Sequence, residues 1–495
     1  MHAVNARALG FVLLAAVLSS CAPRDMSIES GDPPPSPGAS IDVETLGGAP
    51  VTSLPALLPA VDINPDPDVV EVELLVTHGQ VAFSRDRWTE VLTYSDGAAP
   101  DPQARIPGPL IEAKHGDRLI IHMYNELELE ATTLHLHGVR LPAELDGNPM
   151  VSGATFPGEA YTADFVLKDA GFFWYHPHIN TETQMARGLK GPIVIHELDA
   201  PPVDDERYLV LDALDLDADA QIRIEPRDED ILFGRRGDLV LVNGVARPTL
   251  VTPAGTRERW HVVNASNGRF FNLALPGATL TVIGGDGGAM EHAIEVTQLP
   301  IAPGERFDVL VSFPGLPSTL TLESLEVPRG HDGVDSAITL MDVSLGSPEE
   351  SFAADASAFT RPLDRLPSDE SAPLRSFELS GELDHPLGPV FRINDQTWPF
   401  NEPIFAELGA VERWQVINTS PGDHPFHLHG VFFQVIARDG EPLDPNVWKD
   451  TVALGPEGTV TLAVRHETPG RWMYHCQIPE HADRGMMGDL IVTAP

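Results

Sequence analysis

The sequence predicts an all-β protein built of three similar Greek-key sandwich domains, and three observations carry that expectation. Short alternating or β-branched runs, such as "VVEVELLV" (Val69 to Val76) and "TVTLAV" (Thr459 to Val464), are broken by Gly and Pro clusters, with no long segment of helical period. The chain also repeats itself: "GDRLIIHMYN" (Gly116 to Asn125), "GTRERWHVVN" (Gly255 to Asn264) and "GAVERWQVIN" (Gly409 to Asn418) share length, an opening Gly, an apolar strand and a closing Asn. Each copy is followed by a turn around a Pro-Gly or Gly-Pro pair and a further strand, in "FPGEAYTADFVL", "IAPGERFDVLVSF" and "LGPEGTVTLAV". Sandwiches are the architecture that such strands build. The domains are expected over 67–200, 201–350 and 351–495, consistent with a 495-residue chain at roughly 150 residues per domain.

Ahead of the first sandwich, Arg7, the apolar run "ALGFVLLAAVL" and "LSSC" read as an export signal over residues 1–20, too short for a membrane span. Small residues before Cys21 resemble the bacterial lipobox, which implies cleavage before Cys21 and lipidation of its thiol. Ala22, rather than Asp, follows Cys21, which by resemblance to Gram-negative lipoproteins suggests the outer membrane if the source has one, so the expected destination is the outer membrane and periplasm or the cell surface. Residues 21–66, with "SGDPPPSPGAS", read as a Pro/Gly/Ser-rich tether.

The balance of 73 acidic against 32 basic residues argues against nucleic acid or an anionic membrane surface as a partner, since both would repel the chain. Membrane contact is expected through the lipid alone. The charge favours cationic small molecules or metal ions, or else serves only a salt-tolerant surface.

Four clusters carry the chemistry: "HLHG" (His135, His137), "HPH" (His176, His178), "HPFHLHG" (His424, His427, His429) and "HCQIPEHADRGM" (His475, Cys476, His481, Met486). They fall in the first and third repeats. The second repeat carries "GRFFNLALPG" instead, so the middle domain reads as structural. Strand side chains alternate, so each His-x-His points one way, with Leu136, Pro177 and Leu428 facing the other. The same alternation sets Cys476 opposite to His475 and Gln477, so one strand serves two sites. His424, Cys476 and His481, with Met486 as a weak axial ligand, make the composition of a blue-copper centre. On the other face, His135, His137, His176, His178, His427, His429 and His475 are too many imidazoles for one ion, which points to multinuclear copper rather than zinc.

These four motifs, in this order over three repeats, resemble the three-domain multicopper oxidases of the laccase type. The resemblance covers nearly all of residues 67–495 and implies cupredoxin domains that bind up to four copper ions. It implies one-electron oxidation of a phenolic, aromatic-amine or metal-ion donor at a type 1 copper, with four-electron reduction of dioxygen to water at a trinuclear cluster. Residue by residue, it assigns His424, Cys476, His481 and Met486 to type 1 copper, and His135 and His427 to type 2. Of the type 3 pair, one copper takes His178, His429 and His475; the other takes His137, His176 and the residue at 477. His475 and Cys476 form the electron path between the sites.

Position 477 departs from the family, which has histidine there. The internal overlay of "AGFFWYHPH" on "PGRWMYHCQ" makes the same point, setting Gln477 opposite His178. A glutamine oxygen is a harder, neutral ligand, so weaker binding of one type 3 copper is expected. The alternative function is therefore a copper-binding or electron-transfer protein with impaired oxygen reduction. A two-domain nitrite reductase fits badly, because it lacks the third repeat. Ala482 stands where many bacterial relatives carry a Glu that helps deliver protons, while Asp146 in "HLHGVRLPAELDG" matches the family's aspartate near the cluster and is also a turn former. With only 10 methionines and no Met-rich insert, the cuprous-oxidase branch is disfavoured. His78, His115, His122, His261, His292, His331, His385 and His466 read as surface or hydrogen-bonded residues, and "IGGDGGAM" lacks the lysine of a phosphate loop.

Overall fold

The computed structural model describes residues 53–84, 87–331, 333–369, 371–386 and 388–494. The export signal, Cys21 and most of the tether lie outside these residues. The described chain is about 49% strand and 5% helix, so the all-β class holds.

Apart from a two-stranded ribbon of Val327–Pro328 and Val334–Asp335, the described strands sort into three consecutive pairs of sheets. The first pair is a four-stranded sheet built on Val69–Ser84 and Arg118–Asn125, facing a second that carries Gly171–His176 and His135–His137. A six-stranded and a five-stranded sheet follow in the middle, and the same combination recurs over the last third of the chain. In all three, the repeat strand pairs in parallel with the strand opening its unit: Arg118–Asn125 with Val69–Ser84, Arg257–Asn264 with Asp205–Leu214, and Val411–Asn418 with Leu374–Glu382. On its other side it pairs antiparallel with the strand after the Pro/Gly turn, namely Ala160–Val166, Arg306–Ser312 and Thr459–Arg465. The repeat seen in sequence is thus a repeat of topology.

Period-two burial explains the cores. Along Val411–Asn418 every second residue is buried, and Trp414 and Val416 enter an apolar cluster with Phe377, Phe426 and Tyr474. Leu119, Ile121 and Met123 do the same in the first unit; in the second, Trp260 and Val262 enter the core from a strand, Arg257–Asn264, that is buried at every position after the first. The repeat-opening glycines share a left-handed φ of 96° at Gly116, 81° at Gly255 and 83° at Gly409, a conformation that a Cβ disfavours. The glycine-rich "IGGDGGAM" is a hairpin between Thr279–Gly285 and Gly288–Val296, with Asp286 buried at its turn.

Candidate metal centres

Both centres are organised by one antiparallel pair, Gly470–Cys476 against His424–Leu428. Its register sets Phe426 opposite Cys476 and His427 opposite His475. Cross-strand partners share a face, so Cys476 lies with His424 in the third core while His427 and His475 face the first unit. There the pairing of His135 with His176 supplies the facing histidines. Gln477 continues the ladder, donating its N–H to the Pro425 carbonyl at 2.7 Å. The alternation inferred from sequence is the alternation observed.

At the thiolate centre, Cys476 Sγ lies 3.4 Å from His424 Nδ1 and 3.5 Å from His481 Nδ1, and those nitrogens are 3.0 Å apart. His481 donates Nε2–H to the Leu232 carbonyl (3.2 Å), which leaves the lone pair on Nδ1. His424 Nε2 is 2.6 Å from Ser420 Oγ. Met486 is fully buried in the same core, and its carbonyl accepts the Cys476 N–H at 3.1 Å. Burial pushes the thiol's pKa up and drives His424 down to about 3, so the imidazoles are neutral, as ligation requires. A cation among the three atoms would reverse the thiol's preference.

The second centre gathers all seven remaining histidines, each between 0 and 5% exposed. Four of them have their tautomer set by a carbonyl, which can only accept. His135 donates Nδ1–H to Asp146 O (2.9 Å), His176 to Pro177 O (2.9 Å), His427 to Asp450 O (3.0 Å) and His475 to Cys476 O (2.8 Å). Each therefore turns a lone-pair Nε2 inward. Those of His135, His176 and His427 have no hydrogen-bond partner, and neither do the His137 Nδ1, both His178 nitrogens or the Gln477 Oε1. A buried acceptor left unmatched costs about 1–3 kcal/mol, and so many in one place fit a site made for cations. His135, His137 and His176 form one such group, His135, His178 and His429 a second, and His427, His429 and His475 a third, with ligand atoms within 4.8 Å of one another. Burial holds His137, His178, His427 and His429 well below the usual histidine range, reinforced by the neighbouring imidazoles and, at His137, first by the Arg306 charge.

Asp146 is buried beside this centre. Its Oδ2 lies 2.6 Å from His429 Nδ1 while its carbonyl orients His135, and burial raises its carboxyl pKa. Gln477 is 3% exposed and packs against Gly304 of the middle sheets, where an added Cβ would come within 2.7 Å of Gln477 Cγ and 3.2 Å of His137 Cε1. Ala482 is buried against Met473 and Met487. One buried carboxyl stands close by in the chain, Glu480, which burial raises to about 8 despite Arg235 at 3.1 Å, while Asp483, next to Ala482, is exposed. Of the scattered histidines, His122 bonds Thr162 and Glu71, and His261 bonds Asp308. Sequence reasoning missed Leu232, Asp450 and Arg306, because each reaches its site by a chain crossing that no local pattern records, and it missed Ser420, which lies only four residues before His424 and carries no motif of its own.

Comparison with known proteins matches this geometry. Three family profiles, each described as multicopper oxidase, match residues 99–200, 212–319 and 375–495. The multicopper oxidase mco of Staphylococcus epidermidis is 28% identical over 443 residues, covering 85% of this chain and 88% of that protein. A laccase of Bacillus subtilis is 27% identical, covering 79% and 89%. Among solved structures, a multicopper oxidase from Campylobacter jejuni described as a metallo-oxidase superposes with a TM-score of 0.78 at 29% identity, covering 90% of this chain and 96% of that one.

Proposed function

The chain belongs to the multicopper oxidase family, a copper-dependent oxidoreductase using oxygen, and on that premise we propose that it oxidises phenolic, aromatic-amine or metal-ion donors one electron at a time. When bound, copper supplies one-electron chemistry at the thiolate centre and four-electron reduction of dioxygen to water at the histidine cluster. The observation that carries this reading is the strand Gly470–Cys476, which delivers Cys476 to one centre and His475 to the other through adjacent residues. In this reading His424, Cys476, His481 and Met486 hold type 1 copper, and His135 and His427 hold type 2. His178, His429 and His475 hold one type 3 copper, while His137, His176 and Gln477 Oε1 hold the other. Asp146 orients His135 and His429 and, with Asp450, is one of the two carboxyls that contact the cluster histidines. Relatives described as laccases and a neighbour described as a metallo-oxidase support both donor classes.

Gln477 favours a second reading, an electron-transfer protein whose cluster reduces dioxygen poorly. Copper counting, the blue thiolate band and oxygen uptake with a phenolic donor, on one purified sample, separate the two. Four coppers with uptake support the oxidase; a full blue band with fewer coppers and no uptake overturns it. Gln477→His should raise cluster occupancy and leave the blue band unchanged, because position 477 faces away from Cys476. Unchanged copper content would refute the ligand role of Gln477.

We also propose export and anchoring through a lipid on Cys21, supported by "LSSC" behind its apolar run. Labelled fatty acid should enter the wild-type chain but not Cys21→Ala, and equal labelling would sink the anchor.

A further inference from the structure

We propose that Arg306, from the middle sheets, is a positioning residue for the histidine cluster: by clamping Asp450 it dictates which ring nitrogen His137 turns toward the metal. Arg306 is 1% exposed, and its guanidinium reaches all three sheet pairs. Nε donates to Phe172 O of the first unit (3.2 Å). Nη1 donates to Gly304 O (3.2 Å) and Nη2 to Asp286 O (3.0 Å), both in the middle unit. The same two nitrogens grip the Asp450 carboxylate of the third unit, Nη1 on Oδ1 at 2.6 Å and Nη2 on Oδ2 at 2.7 Å. All of its donors are engaged, in the planar fork that a lysine cannot reproduce.

Asp450 passes this constraint to the cluster. Its Oδ1 is 3.3 Å from His137 Nε2, and its carbonyl holds His427. A carboxylate gripped on both oxygens only accepts, so the proton of His137 stands on Nε2 and its lone pair on Nδ1. That tautomer is the reverse of the one carbonyls impose on His135, His176, His427 and His475. Because His137 Nδ1 is the partnerless nitrogen, the reversal aims its lone pair at the cluster. The glycine closing "HLHG" belongs to the same device: a Cβ at Gly138 would sit 2.7 Å from Asp450 Oδ2 and collide with the Arg306 guanidinium. Asp286 completes the clamp, accepting the Arg306 N–H at 2.8 Å on one oxygen and the Asp450 and Thr451 N–H groups at 3.2 Å on the other.

The inference rests on the copper reading for its purpose, but its test does not. In copper-free protein labelled with 15N-histidine, and with the His137 signals assigned by their loss in His137→Gln, His137 should show a protonated Nε2 and a free Nδ1. Arg306→Gln should mix or reverse that pattern. It should also weaken copper binding at the cluster by about 10- to 100-fold, the usual effect of losing an outer partner of a ligand, with the blue band retained. Arg306→Lys should recover only part of the loss. If Arg306→Gln leaves Asp450 an unpaired buried charge and does not fold, Arg306→Gln/Asp450→Asn removes both charges and carries the same expectation. A folded variant that keeps the wild-type His137 pattern and cluster affinity overturns the proposal and reduces Arg306 to a tie between sheets. Wild-type protein that binds no cluster copper overturns the functional reading instead, and the nitrogen spectra still decide the role of Arg306.

Discussion

The Glu412 carboxylate accepts Arg375 Nε at 3.0 Å, Arg375 Nη2 at 2.8 Å and Trp414 Nε1 at 2.8 Å, and lies 3.4 Å from His466 Nε2. Burial alone would raise its pKa, but these partners override it and hold the group down to about 2, from 4.5. A depressed carboxyl stabilises the fold above its unfolded pKa, and that contribution fades as pH falls from about 4.5 toward 2. Glu412→Gln should therefore cost on the order of 2 kcal/mol near neutrality. The gap to wild type should close on acidification, as followed by denaturant unfolding across pH; a gap independent of pH would contradict the ion pairs. At this scale, legibility divides by periodicity. The opposite faces of Cys476 and Gln477 are legible in the sequence because a strand alternates with period two. Asp450 in "WKDTV" and Arg306 in "PGERFDV" look like ordinary solvent-facing charges, and only the crossing of three sheet pairs buries them.

Among elements, the repeat strand conserves more than its length within this chain. Trp260 and Trp414 each donate Nε1–H at 2.8 Å to the glutamate two residues before, and each stands opposite an arginine of the parallel neighbour, Arg207 or Arg375. The first copy has Leu119 and Ile121 at these positions and is apolar there. The closing asparagine is common to all three and pins the following loop: Asn125 donates to Glu130 O and Thr155 O, Asn264 to Arg269 O and Ile301 O, and Asn418 to Gly422 O and Gly455 O. In the third copy Asn418 Oδ1 also holds Ser420 Oγ at 2.9 Å, and Ser420 in turn contacts His424. Asn264→Ala and Asn418→Ala should each destabilise by about 2 kcal/mol, from several buried hydrogen bonds at roughly 1 kcal/mol apiece. Only Asn418→Ala should also shift the blue absorption; a shift in both variants, or in neither, would break the proposed link from loop to ligand. The repeat was visible in sequence because glycine turns and buried asparagines are local necessities, whereas the sheet order joining the copies is not.

Across the whole molecule, the proposed cluster ligands come from residues 135–178 and 427–477, so the two ends of the described fold meet there, with the middle unit supplying Arg306 and Gly304 behind them. The cluster's membership was legible, since each motif names its own histidines. Its supporting wall was not, because the middle repeat advertises no ligand. The depth of burial adds a kinetic consequence. With every proposed histidine, cysteine and methionine ligand at 5% exposure or less, the fold predicts that escape of a loaded ion waits on a transient opening of the packed sheets. Removal by an external chelator then proceeds at a rate that levels off as chelator is added, so the plateau measures how often the folded protein opens rather than how tightly it holds copper.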